Sequence, residues 1–338
     1  MNILAVESSC DETAVAIVRD GREVLTDCIA SQVELHRLYG GVVPEIASRK
    51  HIEAISGLAE QALATTGLTR RDIDAVAVTY APGLIGAVLV GVNFAKAAAF
   101  SMGRPLIPVH HIRGHIAANY LAYPELEPPF LCLVVSGGHT MIVEVKGYTD
   151  MRILGTSLDD AAGECFDKVA RVLGMPYPGG AALDKMAASG DERKYTLPRS
   201  KPGENPYNMS FSGLKTAALN LIHHAEQVGQ TVDIPSLCAS FSAAVSDTLV
   251  PRVVLALEET GHRKIAVAGG VAANSRIRRD ILEAAQRLDA QVFLPPLKLC
   301  GDNAAMIGAQ AYYEYRSGNT ADMSLNAYAT KSILGEAL

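Results

Sequence analysis

Tryptophan is absent from the 338 residues, aromatic side chains of any kind make up only 6%, and none of the six cysteines stands in a CxxC pair. Cys10, Cys28, Cys132, Cys165, Cys238 and Cys300 are scattered through mostly apolar or Gly-rich text. That pattern argues for reduced thiols in a cytosol, against a zinc ribbon, and against a fold that needs disulfide staples. A basic excess is also missing: 30 Lys and Arg face 36 Asp and Glu, for a net charge of −6. Nucleic acid would therefore have to meet a local basic patch or a multi-protein surface. No secretory leader is legible, because the apolar start Asn2 to Val6 is short and runs straight into Glu7. The longest uncharged run, Ala75 to Ala95, is broken by Tyr80-Ala81-Pro82-Gly83 into a strand and a helix, so it is not a membrane span. The chain reads as soluble and cytoplasmic, with no membrane partner. What is present is a globular composition, 49% apolar and 20% charged, long enough for about two domains.

Three short apolar runs open the chain, at Met1 to Val6, Thr13 to Val18 and Arg22 to Ile29, with Asp20-Gly21 as a tight turn. Phe130 to Val135, Thr140 to Val145 and Met151 to Leu154 repeat that meander, with Lys146-Gly147 at the equivalent turn. The repeat predicts two lobes built alike. After each meander helical spacings alternate with short strands. The first half offers helices over Glu45 to Thr65, Gly86 to Ser101 and from near Ile112, with strands at Ala75 to Thr79 and Leu106 to Val109. In the second half helices are predicted over Pro235 to Glu259, Asn274 to Leu288 and Asn303 to Tyr315, with strands at Ile265 to Ala268 and Gln291 to Phe293. This is an α/β pattern with mixed sheets. The Pro-rich text from Pro124 to Pro129 sets the expected boundary, giving lobes 1–129 and 130–338.

His111 and His115 stand four apart at a helix start, which puts both rings on one face at a separation that suits one metal ion, or makes them a plain pair of surface or helix-start histidines. A zinc peptidase would carry Glu after the first His as its base, and that position is Ile112. Asp302, in the turn before the last helix, is the best third ligand, although an N-cap there is an equally ordinary use of an Asp. Two imidazoles and a carboxylate suit Fe²⁺ or Zn²⁺. Val134-Val135-Ser136-Gly137-Gly138 leads into a strand-to-strand turn whose backbone N–H groups suit an anionic oxygen, or a plain hairpin. The strand, Gly269-Gly270 and helix-start sequence up to Asn274 suits a nucleotide phosphate or ribose, or a plain capped turn. Asp167 and Asp184 are candidates for ribose hydroxyls, or ordinary solvated helix charge. Arg276, Arg278 and Arg279, and the basic residues between Glu192 and Lys201, are candidate phosphate contacts or surface charge.

With these residues set out, the chain resembles the two-lobed ATPase fold of actin, sugar kinases and Hsp70. More narrowly it is similar to the TsaD family of tRNA N6-adenosine threonylcarbamoyltransferases. The matching text is Glu7-Ser8-Ser9-Cys10-Asp11-Glu12-Thr13, Gly40-Gly41-Val42-Val43-Pro44-Glu45, His111 with His115, Val135 to Thr140, Phe211-Ser212-Gly213-Leu214-Lys215, Gly269 to Asn274 and Gly301-Asp302-Asn303. The resemblance implies transfer of a threonylcarbamoyl group from threonylcarbamoyl-AMP to N6 of the adenosine 3′-adjacent to the anticodon, in tRNAs reading codons that start with A. It implies one divalent cation on His111, His115 and Asp302, Fe²⁺ favoured and Zn²⁺ the alternative. It also implies substrate contacts at Val134, Val135, Ser136, Gly137, Gly138, Asp167, Gly180, Asp184 and Asn274. Asp11 and Glu12 are expected to assist proton removal. The implied partners are tRNA, TsaB-like and TsaE-like proteins, with ATP needed by the complex, and an upstream TsaC-type synthase of threonylcarbamoyl-AMP. The TsaB-like contact is expected along the apolar stripe of Glu45 to Leu63. Three other readings compete: a nucleotide-switched scaffold without turnover, a metallopeptidase that lacks its Glu, and a small-molecule kinase on the same fold.

Overall fold

A computed structural model describes residues 1–201 and 203–334 of the chain. Two compact units emerge: one of Met1–Pro128, Lys146–Met151 and the chain from Pro295 onward, the other of Pro129–Val145 and Arg152–Leu294. The change of unit at Pro128 falls beside the expected boundary, but a single cut does not describe the chain. From Pro295 it returns to the first unit and carries Asp302 with it, where the sequence had placed that residue in the second lobe. The last positions of the expected second lobe, 335–338, lie outside the described residues.

The first unit is built on a five-stranded sheet. Its opening meander is β1 (Asn2–Glu7), β2 (Glu12–Arg19) and β3 (Glu23–Ser31), followed by β4 (Ala75–Ala81) and β5 (Leu106–His110), in the order β3-β2-β1-β4-β5. β1 runs antiparallel to β2 and parallel to β4. Asp20 and Gly21 both have positive φ, 51° and 69°, as the turn that reverses β2 into β3 requires. Strand alternation divides the side chains of β1 between two cores. Leu4 and Val6 join Val15, Ile17, Val76 and Val78 against Ile55 and Leu58 of α2 (Pro44–Thr66) and Val88 and Val92 of α3 (Ile85–Met102). A one-turn helix, α1 (Val33–Arg37), precedes α2.

The opposite face is made of small residues. Ile3, Ala5, Ala14, Ala16, Ala75 and Ala77 meet Ala118 of α4 (His111–Ala122) and Met306 and Ile307 of the last helix, which spans Ala304–Arg316. Gly308 of that helix lies so close to the sheet that a Cβ would sit 2.6 Å from Val18 Cγ2. The alanines and Gly308 thus let the last helix settle against the strands.

The second unit repeats the plan with β6 (Phe130–Val135), β7 (Thr140–Val145), β8 (Met151–Thr156), β9 (Lys264–Ala268) and β10 (Gln291–Phe293). Their order, β10-β9-β6-β7-β8, is the topology of the first sheet, with β6 antiparallel to β7 and parallel to β9. Helices α5 (Ala162–Val172), α6 (Gly179–Ala187), α7 (Ser212–Gln227), α8 (Ile234–Thr260) and α9 (Ser275–Arg287) surround it, and the last helix of the chain is α10. α3 and α8 are long and apolar enough to cross a membrane, but 78% of the most apolar window of α8 is buried within the fold.

The apolar stripe of α2 also has a partner inside its own unit. Ile55, Leu58, Ala59 and Ala62 are buried, while Ile52 points outward at 64% exposure. The stripe therefore fills the core of the first unit and is not a free docking face.

Candidate metal centre and nucleotide cradle

β5 delivers the chain directly into α4. His110 caps that helix by accepting from Ile112 N at 3.2 Å, and its Nε2 donates to Lys331 O at 3.0 Å. One turn of α4 separates His111 from His115, and the ring centroids are 4.5 Å apart. Between them Gly114 abuts α10, where a Cβ would lie 2.7 Å from Ile307 Cδ1. That close approach brings Asp302 to both rings: its Oδ1 is 3.5 Å from His111 Nε2 and 3.3 Å from His115 Nε2. The ligand atoms of the three residues all lie within 4.8 Å of one another. Asp302 is not the N-cap of α10. Asn303 takes that role, accepting from Met306 N at 2.8 Å. Arg113, buried on α4, pairs with Glu314 of α10 at 2.9 Å and donates to Ile333 O, so α4 and α10 are tied a second time.

The donor set fits a divalent cation of the Fe²⁺ or Zn²⁺ type: two buried imidazole nitrogens and one partly exposed carboxylate oxygen leave positions for substrate or water. Electrostatics agree. Burial disfavours a charged His111, yet Asp302 and Glu7 outweigh it and push the ring up to about 9. The ring thus lies between two carboxyl groups, Glu7 on its Nδ1 side and Asp302 on its Nε2 side.

The loop after β1 wraps this centre. Ser8 Oγ donates to Ala87 O at 2.9 Å, and Ser9 O accepts from Leu84 N at 2.8 Å, pinning the loop to the start of α3. His51 of α2 accepts from Thr13 Oγ1 at 2.7 Å and donates to Cys10 O at 3.0 Å. Asp11 is buried, and Glu12 accepts from Ser31 Oγ at 3.0 Å. Burial first, then Asp11 and Asp302, push Glu12 up to about 9.

Asp27 of β3 reaches the base of α10 and accepts from Ala304 N at 3.3 Å. Burial raises its carboxyl from 3.8 to about 6, against those backbone donors. The folded state then holds more protons than the unfolded chain between those values, so this residue costs stability as pH rises through that window and most above it. Asp27→Asn keeps an acceptor for Ala304 and is expected to stabilise the protein by about 1–2 kcal/mol at pH 8, with the gain vanishing near pH 4. Denaturant titrations at the two pH values measure the difference.

In the second unit, three glycine-bearing segments converge on the end of β6. Ser136 closes the β6–β7 turn through Ser136 N to His139 O at 2.8 Å. Gly163 N donates to Ser136 O at 3.2 Å, and Gly269, at φ 95°, would bring a Cβ to 2.4 Å from Val135 O. Gly137 and Gly138 face open space, with nothing within 4 Å of a would-be Cβ. The result is a rigid turn with an open, side-chain-free rim, the geometry in which backbone N–H groups receive phosphate oxygens.

Asp167 accepts from Gly179 N at 2.8 Å and Gly180 N at 3.1 Å, which fixes the start of α6. Asp184 accepts from Ser275 N and Oγ, and Asn274 caps α9 by accepting from Ile277 N at 3.0 Å. These three residues therefore shape helix termini in the structure. The motif Phe211 to Lys215 belongs to the same unit. Asp159 accepts from Phe211 N at 2.7 Å and Ser212 N at 3.2 Å, and Asp160 pairs with Lys215. Sequence reasoning missed Gly163 and Glu7 as shaping residues, because a lone Gly in a helix and a carboxylate ending a strand carry no local signal.

Four of the basic candidates, Lys194, Arg199, Arg276 and Arg279, stand in ion pairs. Arg276 pairs with Glu192 and Asp280, Arg279 with Asp280 and Glu283, and Arg278 donates to Ala272 O. Lys194 and Arg199 pair with Asp233 and Asp247. Arg276 and Arg279 thus lie on a surface braced by ion pairs.

A meander, two parallel strands and a loop at the end of the first strand, built twice, define the actin, sugar-kinase and Hsp70 class of fold. Solved structures agree: HypF from T. kodakarensis superposes with a TM-score of 0.64 at 15% identity, over 96% of this chain and 49% of its own. Component A of the Acidaminococcus fermentans (R)-2-hydroxyglutaryl-CoA dehydratase gives 0.53 at 14% identity, over 94% and 99%. The family follows from sequence. The family model described as TsaD, tRNA N6-adenosine threonylcarbamoyltransferase, matches residues 23–309, and the chain belongs to that family of transferases. Relatives of that name in Moorella thermoacetica and Clostridium botulinum are 56% identical over 326 residues and 50% identical over 327, covering 96% and 97% of this chain and 95% and 96% of theirs.

Proposed function

We propose that this chain transfers the threonylcarbamoyl group of threonylcarbamoyl-AMP to N6 of the adenosine 3′-adjacent to the anticodon, in tRNAs reading codons that start with A. The near-full-length identity to relatives of that name carries the reading. An exocyclic aromatic amine is a weak nucleophile, so the acyl group must arrive activated, as a mixed anhydride with AMP as leaving group. The acyl C–O bond breaks, a C–N bond forms, and one N6 proton is lost.

Gly137 and Gly138 present backbone N–H groups to the adenylate phosphate without a side chain in the way. Val134, Val135 and Ser136 supply the strand end that holds this turn, while Asp167, Gly180, Asp184 and Asn274 order the surrounding helix starts for the nucleoside. His111, His115 and Asp302 hold one divalent cation, Fe²⁺ favoured over Zn²⁺, which when bound supplies Lewis-acid polarisation of donor oxygens. Asp11 and Glu12, side by side where the loop after β1 enters β2, are the two carboxyls assigned to removal of the N6 proton.

The reading includes TsaB-like and TsaE-like proteins and ATP in the working complex, a TsaC-type synthase upstream, and a cytoplasmic setting. Contact with a TsaB-like partner falls to the outer face of α2, around Ile52, since its inner stripe is used.

Unmodified tRNA incubated with the protein, both partners, ATP and threonylcarbamoyl-AMP is expected to yield threonylcarbamoyladenosine on mass analysis of its nucleosides. No product with demonstrably active partners would favour a scaffold or kinase. Glycoprotein cleavage without nucleotide would favour the peptidase.

A further inference from the structure

Glu7 closes β1 and is wholly buried, which is rare for a carboxylate and costly unless it is well paired. Its contacts come from three elements. Thr79 Oγ1 of β4 donates to Oε2 at 2.6 Å, Ser9 N of the loop donates to Oε1, and His111 Nδ1 of α4 lies 3.1 Å from Oε2. The opposite nitrogen of the same ring faces Asp302. His115 is built differently: its Nδ1 is buried with no hydrogen-bond partner among the described residues. The fold therefore invests a buried charge in one of the two imidazoles only. An apolar side chain in the same place would serve packing at least as well.

We infer that Glu7 is the positioning residue of the metal centre: it keeps the proton on His111 Nδ1, fixes the ring plane, and so turns the Nε2 lone pair toward the cation. The inference rests on the metal-centre reading given above. An imidazole can offer only one nitrogen to a metal, and the group bonded to the other nitrogen decides which one and how basic it is. Thr79 and Ser9 hold the carboxylate in turn, so His111 is oriented by a chain that ends in the sheet. One rival is present, since Ser9 Oγ lies 3.2 Å from the same Nδ1. The hydroxyl can accept that proton too, but without a charge.

Glu7→Gln keeps the size of the side chain and removes the charge. Titration of the metal-free protein with Co²⁺, followed by visible absorption, and competition for Zn²⁺ against a chromophoric chelator read affinity directly, without the reaction. Glu7→Gln is expected to bind both ions 10–100-fold more weakly at unchanged stoichiometry, and Ser9→Ala within about threefold of wild type. Affinity retained by Glu7→Gln, or lost by Ser9→Ala alone, overturns the inference. Should Glu7→Gln fail to fold, ring-nitrogen NMR of the Zn²⁺-loaded wild-type protein decides. His111 protonated at Nδ1 and not Nε2, with its Nδ1 proton shifted by a carboxylate acceptor, supports the role, and the opposite tautomer overturns it. A His115→Ala control separates the two readings: if it binds as the wild type does, or the wild type binds nothing, the metal centre itself falls and Glu7 with it.

Discussion

His115→Ala is expected to lose the cation and the transfer reaction together, with metal affinity down by more than about a hundredfold. The ring is 1% exposed and shares Asp302 Oδ1 with His111. Removing it leaves one nitrogen and one carboxylate, too few to hold a borderline cation against water. Elemental analysis of the purified variant, beside a nucleoside assay, tests both losses in one preparation. A thermal melt shows whether the fold survives, as it should, because the sheet and Arg113 with Glu314 hold α4 independently of the ring. Stoichiometric metal in His115→Ala would refute the ligand assignment.

Gly163→Ala should produce the largest effect on the cradle. A Cβ there would lie 2.5 Å from Ser136 O and 2.8 Å from Gly137 Cα, and both obstacles are backbone. Neither can swing aside as a side-chain tip would, so the turn must move or the helix start must unwind. A loss of about 2–4 kcal/mol in stability is expected, with at least tenfold weaker binding of AMP by calorimetry. Gly137→Ala makes the instructive contrast. Nothing lies within 4 Å of its would-be Cβ, so stability should change by less than about 1 kcal/mol. Its methyl group nevertheless stands on the open rim and should weaken AMP binding. If both variants behaved alike, the convergence on Ser136 would have no role in shaping the site.

Much of this was legible in residue order. The two meanders, the parallel strands after them and the pairing of His111 with His115 follow from alternation and spacing, which are local. The helices α5, α6 and α7 were not anticipated, although α5 buries Ala162, Cys165, Phe166 and Val169 along one side. Its acidic residues drew attention as chemistry and hid the period. The cap of α10 went to Asn303 where Asp302 was the expected candidate, because neighbouring polar residues at a helix start compete and only the backbone path decides. The fate of Arg276 and Arg279 was equally invisible, since Glu192, one of their partners, is distant in sequence. Charge pairing across such distances is a property of the folded surface. The same holds for the apolar stripe of α2, whose period reveals a buried face but not what buries it.

The return of the chain to its first unit has a consequence for synthesis. A ribosome releases His111 and His115 long before Asp302, and the alanine-rich face of the first sheet waits for α10 to cover it. Until then a nascent chain carries a two-ligand half-site beside an uncovered apolar surface, which is work for a chaperone rather than for a metal. All three residues of the candidate metal site are therefore present together only after the second unit has been translated.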